Sequence, residues 1–273
     1  MQKLKILYAT SEIDPFLKIT SAADIIRLLP QALQERGHEI RILMPKFGII
    51  NERRNRLHEV VRLSGINIRV GNEEKPLTIK VASIPNAKLQ VYFLDNEDYF
   101  NRKSALTDPK SNEFYKDNDE RAIFFCKGAI ETVKKLGWGP DIIHCHDWMT
   151  SLIPYYLKTY YKDDPMFTNT KVVYSVYNNV DDNIKISNNF LEKAKLDTAP
   201  SEMIAQLKSN NLAGMTRGSI SLADAIALGD SKISLDMNTF IKTQDKRCLE
   251  FCTDADKEVY VEKYQNLYQD ILN

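Results

Sequence analysis

Short apolar runs in this chain end at small polar residues, and most are followed by a stretch with helical periodicity. That alternation constrains the fold more than any other feature. Leu4–Ala9 is the first run, stopped by Thr10-Ser11-Glu12. Ala23–Arg36 carries Ile25, Ile26, Leu28, Leu29, Ala32 and Leu33 at helical spacing, and Gly37 stands where a C-terminal cap belongs. Glu39–Met44 reads as the next strand, stopped by Pro45. Asn118–Leu136 predicts a long helix with a core face of Ala122, Phe125, Ala129 and Val133, ended by Gly137-Trp138-Gly139-Pro140. Asp141–Cys145 predicts a strand, Trp148–Tyr161 a helix and Lys171–Val176 a strand. Strands alternating with helices predict a parallel, doubly wound α/β sheet. Ile66–Val70, Leu77–Ile84 and Leu89–Leu94, with turns at Gly71-Asn72 and Pro85-Asn86, predict a mixed insertion.

The last third is less regular. Asn178–Asp197 is rich in Asn, Asp and Lys and predicts a mobile loop. Ser201–Leu207 and Thr216–Leu222 read as helical, and Asp224–Leu228 as the last strand. Ala255–Leu272 predicts a closing helix, with Val259, Tyr260, Tyr264, Leu267, Tyr268 and Ile271 at helical spacing. A chain of 273 residues, 43% hydrophobic, can build a sizeable core. Its 37 basic and 37 acidic residues cancel, so neither nucleic acid nor an acidic membrane is an expected partner. Lys3 and Lys5 flank Leu4, and the apolar run is too short for a signal peptide. No stretch approaches the roughly 20 apolar residues of a membrane span. Cys126, Cys145, Cys248 and Cys252 have no framework spacing, which predicts reduced thiols and a cytoplasmic location. Cys248 and Cys252 would share a face if their segment were helical.

Two segments carry candidate chemistry. In Asp141-Ile142-Ile143-His144-Cys145-His146-Asp147-Trp148, strand alternation puts His144 and His146 on one face and Cys145 on the other. Asp147 could cap the following helix, and His146 and Asp147 stand at the carboxyl end of the strand, where open α/β sheets bind ligands. A metal site needs three or four converging ligands, and no further pair has matching spacing, so neither metal nor cofactor is expected. Lys18, in the loop after the first strand, could hold a phosphate as a flexible point charge, although Ile19-Thr20-Ser21-Ala22 has no glycine to let the backbone approach a pyrophosphate. Phe93–Arg102 combines carboxylates, aromatic residues and an arginine; it suits a sugar site or a charged surface loop.

Together these segments resemble the N-terminal half of bacterial glycogen synthases and plant starch synthases over roughly residues 4 to 240. The match is best at Ile6–Lys18, Ala23-Asp24, Leu29-Pro30 and Gly37–Pro45, and is clear at Phe93–Arg102, Pro140–Trp148 and Ala223–Ile233. The resemblance implies a GT-B glycosyltransferase, in which two Rossmann-like domains face each other across a cleft. Such enzymes transfer glucose from ADP-glucose to the non-reducing end of an α-1,4-glucan with retention. It implies donor-side roles for Glu12, Lys18, Asp24, Tyr177 and Asn178. It implies acceptor-side roles for Tyr99, Arg102, His146, Asp147 and Trp148, with Tyr99 and Phe100 offering ring faces to sugars. Two departures stand out. The family's Lys-Thr-Gly-Gly-Leu-Ala-Asp loop reads Lys18-Ile19-Thr20-Ser21-Ala22-Ala23-Asp24, and its His-Asn pair reads Tyr177-Asn178. The expectation is a single domain over residues 1–273, without the family's second domain and incomplete as an enzyme alone. Its expected partners are an α-glucan or malto-oligosaccharide and a chain supplying the second domain. A non-catalytic α-glucan-binding or regulatory protein and one half of a split synthase are the alternatives.

Overall fold

The apolar runs become one sheet whose centre is parallel. The computed structural model describes residues 3–20, 22–179, 182–196, 199–253 and 255–273. Of the loop residues read from sequence, Ser21, Val180, Asp181 and Asp197 lie outside the described residues. The strands are β1 (Lys5–Ala9), β2 (Glu39–Pro45), β3 (His58–Glu59), β4 (Ile66–Val70), β5 (Glu73–Ser83), β6 (Gln90–Asp95), β7 (Ile142–His146), β8 (Lys171–Val176), β9 (Ala225–Leu228) and β10 (Arg247–Leu249). They are ordered β10-β9-β8-β7-β1-β2-β6-β5-β3, and β4 pairs with β5. The run from β10 to β6 is parallel, whereas β3, β4 and β6 pair antiparallel with β5. The chain therefore leaves β1 toward β2 on one side and later returns to place β7 on the other.

The helices are α1 (Ala22–Glu35), α2 (Glu52–Asn55), α3 (Glu97–Phe100), α4 (Asn118–Leu136), α5 (Ile153–Lys158), α6 (Phe190–Ala194), α7 (Ser201–Leu207), α8 (Leu212–Leu222), α9 (Leu235–Lys242) and α10 (Lys257–Leu272). Helices α1 and α10 pack together; α4, α5 and α8 form a second group. Helix α1 stops as its sequence predicts. Gly37 takes a φ of 94°, its N–H donates to the Gln34 carbonyl, and the His38 N–H donates to the Leu33 carbonyl. On α4 the expected core face is fully buried.

Several elements differ from expectation. The helix predicted over Trp148–Tyr161 is split into a 3-10 turn at Trp148–Thr150 and α5, because Asp147 caps the first piece and Pro154 begins the second. Strand β9 is not the last. The three-residue β10 extends the sheet, so Cys248 lies on a strand and not on a helix face. Within the polar segment predicted as a mobile loop, α6 buries Phe190. The segment is tied down where Ser187 meets Asp119, Lys193 meets Glu120 at 2.5 Å, and the Gly71 N–H donates to the Lys193 carbonyl at 2.8 Å.

Helix α10 closes the sheet face that carries the odd-looking histidines. Tyr260, Tyr264 and Tyr268 are buried, and the Tyr268 hydroxyl lies 3.1 Å from that of Tyr8 and 2.6 Å from His144 Nδ1. Ser175 Oγ takes the other ring nitrogen at 2.7 Å. Alternation along β7 puts His146 on the same face, with the two imidazole centroids 4.0 Å apart. Tyr268→Phe keeps the packing but leaves His144 Nδ1 unpartnered, so it should cost about 1–3 kcal/mol in urea unfolding at neutral pH. Tyr268→Ala should cost about 3–5 kcal/mol through the added cavity. Equal stability of the Ala variant and the parent would show that α10 is not docked.

Candidate active site at the sheet switch point

Because β1 pairs with β2 on one edge and β7 on the other, the crevice at the carboxyl ends of β1 and β7 is the sheet's switch point. The loop leaving β1 is organised by Glu12. Its carboxylate is buried and accepts from Ile19 N at 2.5 Å, Thr20 N at 2.7 Å and Thr20 Oγ1 at 2.5 Å. Thr10 locks the start of the same turn by donating to the Glu12 carbonyl and accepting from its N–H. Lys18 lies on the surface and pairs with Asp24, in the first turn of α1, at 2.5 Å. That hydrogen bond is the main reason the Lys18 pKa is raised.

At the end of β7, Asp147 takes a left-handed φ of 71°, unusual for a residue with a side chain. Its Oδ1 accepts from Trp148 N at 2.6 Å, and its Oδ2 lies 3.4 Å from Ser11 Oγ, joining the two strand ends. Burial pushes its carboxyl up to about 7, against hydrogen bonds from Trp148 and the Asn179 side chain. His146 is driven the other way. Burial lowers its pKa to about 3, so the ring is neutral. Nδ1 meets the Tyr177 hydroxyl at 2.7 Å, while Nε2 has no partner among the described residues. A carboxyl that titrates near neutrality beside a neutral imidazole with an open nitrogen can exchange a proton and hold a hydroxyl. Tyr177 is seated by Gly229, where a Cβ would lie 2.3 Å from the tyrosine ring.

Of the other residues that the resemblance places on the acceptor side, Arg102, Tyr99 and Trp148 are held by pairing and packing. Arg102 grips Asp117 with two nitrogens, bonds the Asp98 carbonyl at 3.1 Å and lies 4.6 Å over the Tyr115 ring. Tyr99 is buried with its hydroxyl 3.1 Å from Glu120 Oε2, and Phe100 is buried too. The expectation that Tyr99 and Phe100 present ring faces to sugars is therefore corrected: both rings pack against Phe124 in the core. Trp148 is likewise buried, 5.5 Å from Phe114. Asn178 lies between Tyr177 and Asn179 and is exposed. Sequence reasoning missed Ser11, whose hydroxyl reaches Asp147, and Gly229. Neither carries a motif; only the third dimension brings Gly229 against Tyr177. Among the described residues no three His, Cys, Asp or Glu side chains converge as a metal site.

The mostly parallel sheet and its polar switch point define a Rossmann-like α/β domain. The starch synthase catalytic domain family matches residues 5–239, and the chain belongs to that family. It is 46% identical over 177 residues to glycogen synthase of Chlorobium limicola, covering 65% of this chain and 36% of that protein. It is 47% identical over 174 residues to glycogen synthase of Chlorobium luteolum, covering 64% and 36%. The matched part thus spans about a third of these relatives' length. The catalytic domain of starch synthase IV from Arabidopsis thaliana, solved bound to ADP and acarbose, superposes with a TM-score of 0.74 at 17% identity. That match covers 95% of this chain and 53% of the other. The fold is that of a GT-B glycosyltransferase domain, as expected from sequence.

Asp147 makes stability depend on pH with an unusual sign. Its folded pKa of about 7 lies above the ordinary 3.8, so the native state holds the proton more tightly. Its contribution is full below about pH 4 and is lost as pH rises toward 7. His144 and His146, both lowered by burial, act oppositely, losing stability as pH falls below 6.5. Asp147→Asn keeps the acceptor for Trp148 N and removes the titration. Its stability relative to the parent should rise between pH 4.5 and 7.5, by on the order of 1–3 kcal/mol. Parallel denaturation profiles over that range would contradict the buried carboxyl.

Proposed function

We propose that this chain is a single α/β domain forming one wall of a retaining α-glucan synthase. With a second domain closed over its switch point, it would transfer glucose from ADP-glucose to an α-1,4-glucan in the cytoplasm. Alone it does not transfer. Membership of the starch synthase catalytic domain family and the likeness to glycogen synthases support the reaction class. One observation carries the incompleteness: the donor-side groups are already satisfied by partners within the domain. The Ile19 and Thr20 amides bond Glu12, Lys18 pairs with Asp24, and Tyr177 holds His146. Stabilising a leaving diphosphate needs such donors free and aimed at the phosphates. Transfer also needs donor and acceptor held together in a closed cleft. The partners in this reading are an α-glucan or malto-oligosaccharide and a chain that supplies the second domain.

Glu12, Lys18, Asp24, Tyr177 and Asn178 stand on the donor side of this reading. Arg102, His146, Asp147 and Trp148 stand on the acceptor side, with Tyr99 supporting from beneath. The decisive assay measures incorporation of radiolabelled ADP-glucose into glycogen, by the chain alone and after adding extract of its own cells lacking other synthases. The expected result is no incorporation alone and a rise with extract. Transfer by the chain alone would overturn the incomplete-domain reading. Retention on a glycogen affinity gel without transfer in either condition would favour a glucan-binding role instead.

Tyr99→Ala provides a separate check on the acceptor-side residues. The buried ring and its bond to Glu120 predict a loss of about 3–5 kcal/mol in denaturant unfolding. A near-neutral change would place Tyr99 at the surface, where a sugar could reach it.

A further inference from the structure

We propose that a pocket at the amino ends of β2 and β6 binds the oxyanion of a small phosphomonoester. The pocket lies at the opposite end of the sheet from the switch point and is an open concavity of about 290 Å³. Gln34 of α1, Arg41 of β2, Lys88 of the β5–β6 turn, Gln90 and Tyr92 of β6, and Trp138 after α4 line it. Arg41 is held in place before any ligand arrives. Its guanidinium carbon lies 5.0 Å from the Trp138 ring centroid and 5.6 Å from that of Tyr92, and Nη1 donates to the Tyr92 hydroxyl at 2.5 Å. A planar fork fixed between two rings loses little further freedom on binding and suits a tetrahedral oxyanion.

The charge around it is uncompensated. Among the described residues neither Arg41 nor Lys88 forms an ion pair. The pocket's carboxylate, Glu39, is already answered by Lys3 at 3.0 Å and by the Trp138 indole N–H at 3.1 Å. His38, also on the wall, accepts from Leu4 N at 3.1 Å and adds no positive charge, since burial lowers its pKa. Gln34 is anchored by donating to the Lys88 carbonyl at 2.7 Å, which fixes the turn that carries the lysine. Two cations that form no ion pair among the described residues and the Gln90 amide thus border one small pocket. Its size is at the lower end for small-molecule sites, about 300–1,000 Å³, and favours a phosphate on a compact body over a nucleotide.

Free phosphate and a phosphorylated sugar share this chemistry, so the test carries both. The full chain is titrated calorimetrically at low ionic strength with inorganic phosphate, with glucose 6-phosphate and with glucose. Both anions are expected to bind and glucose is not. Equal affinities would identify phosphate alone as the recognised group, and tighter binding of the sugar phosphate would identify the phosphosugar. Lys88→Gln, at an exposed turn, should fold normally and bind about tenfold more weakly, and Arg41→Gln more weakly still. Absence of binding at about 10 mM ligand, or unchanged affinity in Lys88→Gln, would overturn the proposal.

Discussion

The position of β1 between β2 and β7 is the constraint on which the rest depends. Its residues Lys5 to Ala9 pair with β2 on one edge, Ile6 to Ala9 pair with β7 on the other, and all are buried from Ile6 onward. A strand in that place must be apolar wherever it is buried, and it must release its chain at a crevice because its two neighbours are reached in opposite directions. The polar residues Thr10, Ser11 and Glu12 are therefore forced together with His146 and Asp147. What the chain does there follows from desolvation. Groups that water would normally serve must find partners within the protein, and Glu12 finds three.

That closure explains the electrostatics of the crevice. Asp147 and His146 are neighbours in sequence and are shifted in opposite directions by one cause, since burial disfavours the charged form of each. The result is a neutral imidazole beside a carboxyl that holds its proton more tightly than usual. Arg121, near Arg102, shows the same pressure. It is fully buried, stacked near Phe47, Phe100 and Tyr115, and lowered to about 9 by burial and by Arg102.

Much of this was legible before the structure. Apolar periodicity located β1, α1, β2, α4 and β8 closely, because each buries a continuous or stripe-like surface that leaves its period in the sequence. The short pieces were not legible. Strand β10 is Arg-Cys-Leu and has too few residues for alternation to register, and β3 is only His-Glu. Helix α9 is held by Ser234 at its N-cap and buries only Met237 and Ile241, a weak stripe. At the site, spacing and resemblance pointed to the ends of β1 and β7, which the structure brings together. They did not reveal burial, and burial decides the outcome. Tyr99 looks the same in a sequence whether its ring faces a sugar or Phe124. Lys18 looks the same whether it is free or paired with Asp24.

The contact between Gly229 and Tyr177 links two positions that lie far apart in the chain. The tyrosine ring occupies the space a side chain at 229 would need. Any residue with a Cβ at 229 becomes tolerable only after position 177 has become smaller or turned away, and a turned ring would release the His146 bond as well. Positions 177 and 229 are therefore coupled: a side chain at 229 requires a change at 177, whereas a smaller residue at 177 is compatible with glycine at 229. Two loops that follow different strands, β8 and β9, thus share one volume at the edge of the crevice, and the size of one side chain sets what the other may be.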